Sequence, residues 1–293
     1  NNMKILVTGG MGQLGWDCRE VFTGHEVLAL DLPNLDITEA ASVDGILSLW
    51  RPDVIVNCAA YTAVDRAETD VAKTWNVNRE GPALLATRAK AYDIFLLHVS
   101  TDYVFDGARP VPEPYLESDQ PHPVSVYGKS KLAGEREIRE RAPRHAILRT
   151  AWLYGAHGYN FLKTILRRAV TDPRRGLRVV NDQFGTPTWS RRLAEQILAV
   201  IEADATGLFH ASGEGHCSWY DFAKEFISLM KVDCEVRPCT TADYPTPTVR
   251  PANSILENAN LKKAGLNRMQ DWRADLGEYV QRYREALLNE VRA

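Results

Sequence analysis

The chain has 293 residues, of which 45% are hydrophobic and 25% charged, and its formal net charge is −3. That length suffices for one large domain or two modest ones, and the near-neutral charge argues against nucleic acid or a membrane surface as the main partner. No apolar run is long enough to span a bilayer, and no signal-peptide pattern is present, so we expect a cytoplasmic protein. The five cysteines lack Cys-x-x-Cys spacing, which predicts reduced thiols and no metal site.

A glycine-rich turn follows the first predicted strand. The strand-forming run Lys4–Thr8 leads directly into Gly-Gly-Met-Gly-Gln-Leu-Gly, and a helical pattern continues to Phe22. Glycines at this spacing allow a tight turn, a close approach of the backbone to a pyrophosphate, and close packing of the helix on the strand. The phosphates would lie at the helix N-terminus. This context predicts a dinucleotide site formed by Gly9, Gly12, Gln13, Leu14 and Gly15.

An acidic residue ends the second predicted strand. Asp31 follows Glu26–Leu30, about twenty positions after the first glycine. A carboxylate at this position can accept hydrogen bonds from the adenosine ribose hydroxyls and would repel a 2′-phosphate. We therefore predict NADH or NADPH as the cofactor, with NADH slightly preferred. Further predicted cofactor contacts come from residues after the second and third strands and between two helical stretches: Asp36, Ile37, Ala59, Ala60, Tyr61 and Asn78.

Strands alternate with helices through the first half of the chain. Apolar strand-forming runs recur at residues 53–57, 94–99 and 145–149, and helical patterns occupy residues 64–75 and 79–92. This alternation predicts an α/β fold with a Rossmann-like doubly wound parallel sheet. We expect residues 1–150, plus about 188–207, to form the dinucleotide-binding domain. Residues 151–187 and 208–293 would form a smaller interleaved α/β lobe that binds substrate.

A tyrosine and a lysine lie four residues apart in the predicted helix Val126–Arg141. Because four residues make about one turn, Tyr127 and Lys131 project from the same face. A nearby cation favours the phenolate and lowers the pKa of a tyrosine. The pair is therefore suited to donate a proton to an alkoxide that forms from a ketone.

Several motifs together resemble a known family. The glycine-rich turn, Ser100-Thr101-Asp102 after the fourth strand and the Tyr-x-x-x-Lys pair resemble the extended short-chain dehydrogenase/reductases that act on nucleotide sugars. Within that group the chain is similar to the dTDP-4-dehydrorhamnose reductase family. The matching strings occur in order along nearly the whole sequence, at residues 58–65, 100–107, 127–135, 149–155, 181–188 and 250–254.

The resemblance implies an activity and a set of site residues. It implies NAD(P)H-dependent reduction of the 4-keto group of dTDP-4-dehydro-L-rhamnose to dTDP-L-rhamnose. The catalytic residues would be Thr101, Tyr127 and Lys131. The substrate-binding residues would be Tyr103, Trp152, Asn160 and Arg250. A guanidinium pairs with two phosphate oxygens at once, which suits Arg250 to the diphosphate of the substrate.

Alternatives remain open at this stage. Tyr103 stands where related 4,6-dehydratases carry a glutamate, which argues against a dehydratase, and it forms either a wall for the sugar or ordinary packing. A sister 4-ketoreductase acting on another dTDP-deoxysugar would share these motifs. A non-catalytic cofactor-binding regulatory subunit, like the reductase-like partner of methionine adenosyltransferase, would share the fold. We interpret the arginines between residues 167 and 178 as a solvated surface. Some enzymes of this type pair through acidic metal-binding surfaces, but here Arg191 and Arg192 follow Trp189 and Ser190, so we expect a monomer or weak homodimer.

Overall fold

Six parallel strands form the centre of the structure, a computed structural model that describes residues 1–293. Strands are numbered along the chain. Those of the central sheet are β1 (Lys4–Thr8), β2 (Glu26–Leu30), β3 (Val54–Asn57), β4 (Phe95–Thr101), β5 (His145–Thr150) and β10 (Gly207–His210), in the spatial order β10-β5-β4-β3-β1-β2. The chain moves from β1 to one side and returns to the other side at β3. This reversal opens a crevice at the carboxyl ends of β1 and β3, where doubly wound folds bind ligands.

Helices cover both faces of the central sheet. They are α1 (Gln13–Val21), α2 (Ala40–Trp50), α3 (Val64–Ala67), α4 (Val71–Trp75), α5 (Gly81–Tyr92), α6 (Val126–Arg141) and α8 (Ser190–Glu202). One apolar core joins the sheet to α1 and α8, and a second core joins the opposite face to α2, α5 and α6. The four inner strands, β1, β3, β4 and β5, are buried on both faces and mostly apolar, as is typical of a parallel sheet. The prediction of a doubly wound α/β fold is confirmed.

A smaller lobe follows β5. Its helices are α7 (Phe161–Thr171), α9 (Trp219–Leu229) and α11 (Trp272–Arg292). The short helix α10 (Ala259–Lys263) packs instead on the central sheet, where Leu261 belongs to the core shared with α1 and α8. Three short ladders complete it: β6 (Leu153–Tyr154) with β9 (Thr188–Trp189), β7 (Leu177–Val180) with β12 (Val236–Cys239), and β8 (Phe184–Gly185) with β11 (Cys217–Ser218). A separate core of 21 buried residues holds α7, α9 and α11 together. None of the helices combines the length and the apolar character needed to cross a membrane.

Two elements differ from the expected boundaries. The edge strand β10 runs to His210, so the large sheet includes residues beyond the expected boundary near residue 207. The expected break between two helices is instead a π-helical turn, Asn76–Glu80, that joins α4 to α5 without interruption. Pro82 has no N–H to bond the carbonyl of Asn78, which removes one α-helical hydrogen bond at this turn. The assignment of residues to two domains remains a prediction.

Candidate active site

A cleft of about 730 Å³ runs along the carboxyl ends of the central strands. Most of the residues predicted to bind cofactor or to react line this one cleft: Gly9, Gly12, Gln13, Leu14, Gly15, Asp31, Asp36, Ile37, Ala59, Ala60, Tyr61, Thr101, Tyr103, Tyr127, Lys131 and Trp152. They come from the end of strand β4, from helices α1 and α6, and from the segments that follow five strands of the central sheet. The fold therefore brings into one cleft residues that the sequence motifs could only suggest belong to the same site.

The glycine-rich turn has the geometry that a dinucleotide needs. Gly9 has a φ of +62°, and a Cβ at this position would lie 2.8 Å from the backbone nitrogen of Ala59, so only glycine fits. The N–H of Gly12 donates to the carbonyl of Gly9 at 3.0 Å and closes the turn. No side chain caps the N-terminus of α1, so the N–H groups of its first turn are available to an anion. The turn fits a pyrophosphate.

Asp31 lies at the wall of the cleft beyond this turn. One of its carboxylate oxygens accepts the N–H of Met11 at 3.1 Å, and the other accepts the N–H of Leu32 at 2.9 Å. These bonds fix the carboxylate beside the glycine-rich turn. The two lysines that line the cleft are Lys73 and Lys131, and no arginine lines it.

The three predicted catalytic residues lie together on two elements. Thr101 is the last residue of β4, and its hydroxyl donates to Oδ1 of Asp102 at 3.1 Å. Tyr127 and Lys131 lie in the first turns of α6, and the side chain of Ser125 caps this helix by accepting the N–H of Gly128 at 3.0 Å. The cap fixes where the helix begins. It therefore fixes which side chains of the helix face the strand.

The structure corrects the expectation that Lys131 lowers the pKa of Tyr127. Burial raises the pKa of Tyr127, the neighbouring hydroxyl of Thr101 opposes that rise, and Lys131 has no comparable effect on the phenol. The ammonium of Lys131 instead donates to the carbonyl of Val99 at 2.7 Å. Burial lowers the pKa of Lys131 to about 8. The phenol is therefore protonated at neutral pH, which is the state that a proton donor needs.

A second cavity of about 470 Å³ adjoins the cleft. Asp102, Tyr103 and Trp152 line both. Trp152 has a left-handed backbone, with a φ of +52°, and its ring stacks on Trp219 at 3.7 Å between centroids. Bulky residues rarely adopt this backbone conformation, which occurs most often at functional sites. The second cavity also holds three guanidinium groups, those of Arg168, Arg178 and Arg250.

Two predicted binding residues lie outside both cavities. The side-chain amide of Asn78 accepts the N–H of Tyr61 at 2.8 Å and donates to the carbonyl of Tyr61 at 3.0 Å. Asn160 caps α7 and donates to Oε1 of Gln13 at 2.9 Å. Asn78 and Asn160 therefore hydrogen-bond residues that line the cleft, Tyr61 and Gln13. The sequence had suggested that they contact the ligands directly.

Other residues of the site were missed. Arg168 and Arg178 belong to the cluster that we interpreted as a solvated surface; both are exposed, and they also line the second cavity. Asp65 pairs with Arg250 at 2.6 Å, and the hydroxyl of Tyr103 accepts from the same guanidinium at 2.9 Å. The only signal for Asp65 was its place in the string at residues 58–65. Nothing in the sequence brings it to Arg250.

A dinucleotide cleft that opens beside a buried tyrosine, lysine and threonine defines a nicotinamide-dependent oxidoreductase of the short-chain dehydrogenase/reductase type. The family model described as RmlD substrate binding domain matches residues 3–285. A dTDP-4-dehydrorhamnose reductase from Sinorhizobium fredii is 40% identical, over 92% of this chain and 94% of that protein. The chain belongs to the dTDP-4-dehydrorhamnose reductase family.

Two further relatives bear on the activity. A probable dTDP-4,6-dihydroxy-2-methyloxan-3-one 4-ketoreductase from Streptomyces antibioticus is 41% identical, over 94% of this chain and 94% of that protein. The crystal structure of a dTDP-4-dehydrorhamnose reductase from Bacillus anthracis in complex with NADP superposes with a TM-score of 0.93. It is 34% identical, over 96% of this chain and 100% of that one. The family thus includes reductases named for different keto sugars.

Proposed function

We propose that this protein reduces the 4-keto group of dTDP-4-dehydro-L-rhamnose and yields dTDP-L-rhamnose, with NADH or NADPH as the reductant. The observation that carries the proposal is the position of the catalytic residues. Thr101 and Tyr127 line the dinucleotide cleft where Asp102, Tyr103 and Trp152 join it to the second cavity. A hydride donor in one cavity and a sugar in the other would meet at this point.

Each catalytic residue has a role that its surroundings support. The reduced nicotinamide, when bound, supplies the hydride. Tyr127 donates its phenolic proton to the oxygen of the former ketone, and burial keeps that proton in place at neutral pH. Thr101, whose hydroxyl donates to Asp102 in the free protein, would donate to the same oxygen when the substrate is bound. Lys131 places a buried positive charge in the cleft, where it stabilises the negative charge that develops and holds the nicotinamide ribose.

The second cavity suits the remainder of a sugar nucleotide. Arg168 has no carboxylate partner, and Arg178 is 3.6 Å from Asp243 at the surface, so both guanidinium groups can turn to a diphosphate. The stacked pair of Trp152 and Trp219 forms an apolar wall of the cavity. Arg250 is paired with Asp65 and would bind phosphate with its remaining donors.

The preference for NADH is a finer part of the proposal. Asp31 places its carboxylate beside the turn, where a 2′-phosphate would meet negative charge. The relative from Bacillus anthracis was solved with NADP, so the two cofactors need a direct comparison. We expect a higher kcat/KM for NADH than for NADPH. In Asp31→Asn we expect the ratio of these two kcat/KM values to fall toward one. An unchanged ratio in the variant would rule out a role for this carboxylate.

The decisive experiment follows the loss of reduced-nicotinamide absorbance with a substrate generated in situ by a dehydratase and an epimerase. We expect consumption that depends on the epimerised sugar, with dTDP-L-rhamnose as the product. Consumption with another deoxysugar as the product would indicate a sister 4-ketoreductase, the candidate that the relative from Streptomyces antibioticus supports. Cofactor binding without any turnover would instead indicate a regulatory subunit.

A further inference from the structure

A buried ion pair lies directly behind the catalytic lysine. Glu135 follows Lys131 by one turn of α6 and, like Arg149 of β5, is almost fully buried. The guanidinium of Arg149 donates to both carboxylate oxygens of Glu135, from Nε at 2.9 Å and from a terminal nitrogen at 2.8 Å. Neither charge is part of the cleft wall. The reaction as described above does not use either residue.

The carboxylate of Glu135 joins three elements. In addition to the two bonds from Arg149, it accepts the hydroxyl of Ser100 at 2.6 Å and a nitrogen of Arg139 at 3.1 Å. Ser100 immediately precedes Thr101 on β4. Glu135 therefore ties α6, which carries Tyr127 and Lys131, to the strand that carries Thr101. A fully hydrogen-bonded buried carboxylate of this kind holds its neighbours in one arrangement.

The carboxylate of Glu135 is also the negative charge that most strongly stabilises the protonated form of Lys131. The titratable groups that face Lys131 are Tyr127 and Glu135 on α6, His98 on β4 and Cys58 after β3. Burial lowers the pKa of Lys131 to about 8, and Glu135 and Cys58 oppose that fall, Glu135 more strongly. Burial also holds the pKa of His98 far below its usual value, so this imidazole is neutral.

We propose that Glu135 is a positioning residue for Lys131, which it keeps protonated in the buried cleft while it fixes helix α6 against the strand of Thr101. The catalytic consequence of this inference rests on the proposed reduction, whereas the effect on the charge of Lys131 does not. The variant Glu135→Gln keeps the shape of the side chain and removes the charge. Because it leaves the buried charge of Arg149 unpaired, folding is at risk. The double variant Glu135→Gln/Arg149→Met removes the pair as a unit.

The test is a titration of the protein with 13C-labelled lysine, followed by nuclear magnetic resonance, in which Lys131→Arg assigns the signal. We expect Glu135→Gln to lower the midpoint of Lys131 by about one pH unit, since removing an opposite charge nearby has an effect of this size. The double variant should lower it less, because it also removes the positive charge of Arg149. With the substrate, the alkaline limb of the rate profile of Glu135→Gln should fall by the same amount as its midpoint, a loss of about fivefold at pH 8. Glu137→Gln on the same helix, whose partner Arg141 is at the surface, is the matched control and should change neither.

The outcomes separate the two proposals. An unchanged Lys131 midpoint in the double variant, with a native near-ultraviolet circular dichroism spectrum, would overturn the role of Glu135. An equal shift in Glu137→Gln would overturn it as well, because the effect would then not be local. A shifted midpoint in a protein that does not turn over the keto sugar supports the role of Glu135 and removes only the proposed reaction.

Discussion

At the scale of single residues, Tyr127 holds its proton more tightly than an exposed tyrosine, because burial raises its pKa. We predict that Tyr127→Phe lowers kcat by about 10²- to 10⁴-fold, the usual contribution of a general acid. The affinity for cofactor should stay within about twofold, because the ring remains. Steady-state kinetics and a fluorescence titration of cofactor measure the two effects. Tyr92→Phe, at the opposite end of the sheet, is the control, and turnover near the wild-type value in Tyr127→Phe would exclude the mechanism.

The buried carboxylate of Asp102 in the active site lowers the stability of the fold at neutral pH. One oxygen of its buried carboxylate has no partner, and burial raises its pKa from 3.8 to about 6. A carboxyl whose folded pKa is raised binds its proton more tightly in the folded state. The contribution of Asp102 to stability is therefore greatest below pH 4 and is lost as the pH rises from 4 through 6. The difference of about two units corresponds to roughly 3 kcal/mol at pH 7.

We predict that Asp102→Asn raises the free energy of unfolding at pH 7 by about 1–3 kcal/mol, because the amide carries no charge that burial would penalise. Urea denaturation at several pH values measures it. The gain should shrink toward pH 4, where the carboxyl of the native protein is protonated. A gain that is constant with pH would show that the ionisation of Asp102 is not its source.

At the scale of elements, the π-helical turn Asn76–Glu80 supports the cofactor cleft from behind. π-helical turns are rare and are often found at functional sites. The turn directs Asn78 at the backbone of Tyr61, which lines the cleft. We predict that Asn78→Ala weakens cofactor binding by about tenfold, because two hydrogen bonds to this loop are lost. Asn76→Ala, an exposed position of the same turn, should leave the dissociation constant unchanged; an equal loss in both variants would contradict this role.

The same elements show what the sequence could and could not predict. The glycine-rich turn and helix α6 were predicted because each depends on neighbours a few residues away, such as the cap at Ser125. The π-helical turn depends on Pro82 and on Gly134, where a Cβ would collide with the carbonyl of Asn78. That contact joins residues more than fifty positions apart. Local periodicity carries no information about it.

At the scale of the whole molecule, a segment near residue 250 crosses from the smaller lobe to the loops of the large sheet. Arg250 bonds to Asp65 and Tyr103, and the hydroxyl of Thr248 donates to the carbonyl of Val64 at 3.2 Å. The role of Arg250 in binding phosphate could be predicted from the matching string at residues 250–254. Its pairing with Asp65 could not, because it depends on how the two lobes meet. Arg168 on α7 and Arg178 on β7 likewise line one cavity only because of how these two elements pack, which the sequence pattern does not show.

We predict that Arg250→Met raises the KM for the sugar nucleotide by at least about tenfold, because charge-assisted bonds to phosphate are lost. Cofactor affinity should change little, since Arg250 does not line the cofactor cleft. Arg237→Met provides the control, because Arg237 is exposed and pairs only with Glu235. A change in cofactor affinity without a change in the KM for the sugar nucleotide would contradict the prediction that Arg250 binds this substrate in the second cavity.

The surface formed by α8 and α11 bears on the oligomeric state. Its acidic residues are neutralised within the chain: Arg192 pairs with Glu195 at 2.6 Å and with Asp275 and Glu278 at 3.0 Å. Ser190 donates a hydrogen bond to the buried Asp17. Carboxylates that are already paired bind a bridging cation weakly, because the cation must displace the guanidinium.

We therefore predict a monomer of 32.9 kDa at micromolar concentration, with the same mass in magnesium and in a chelator. Sedimentation equilibrium in both buffers measures the mass directly. Arg192→Ala provides a sharper test, because it frees the carboxylates of Glu195, Asp275 and Glu278 together. If the paired arginine is what prevents bridging, this variant alone should gain magnesium-dependent association. A wild-type dimer that dissociates in the chelator would show that pairing with Arg192 does not prevent these carboxylates from binding a metal ion.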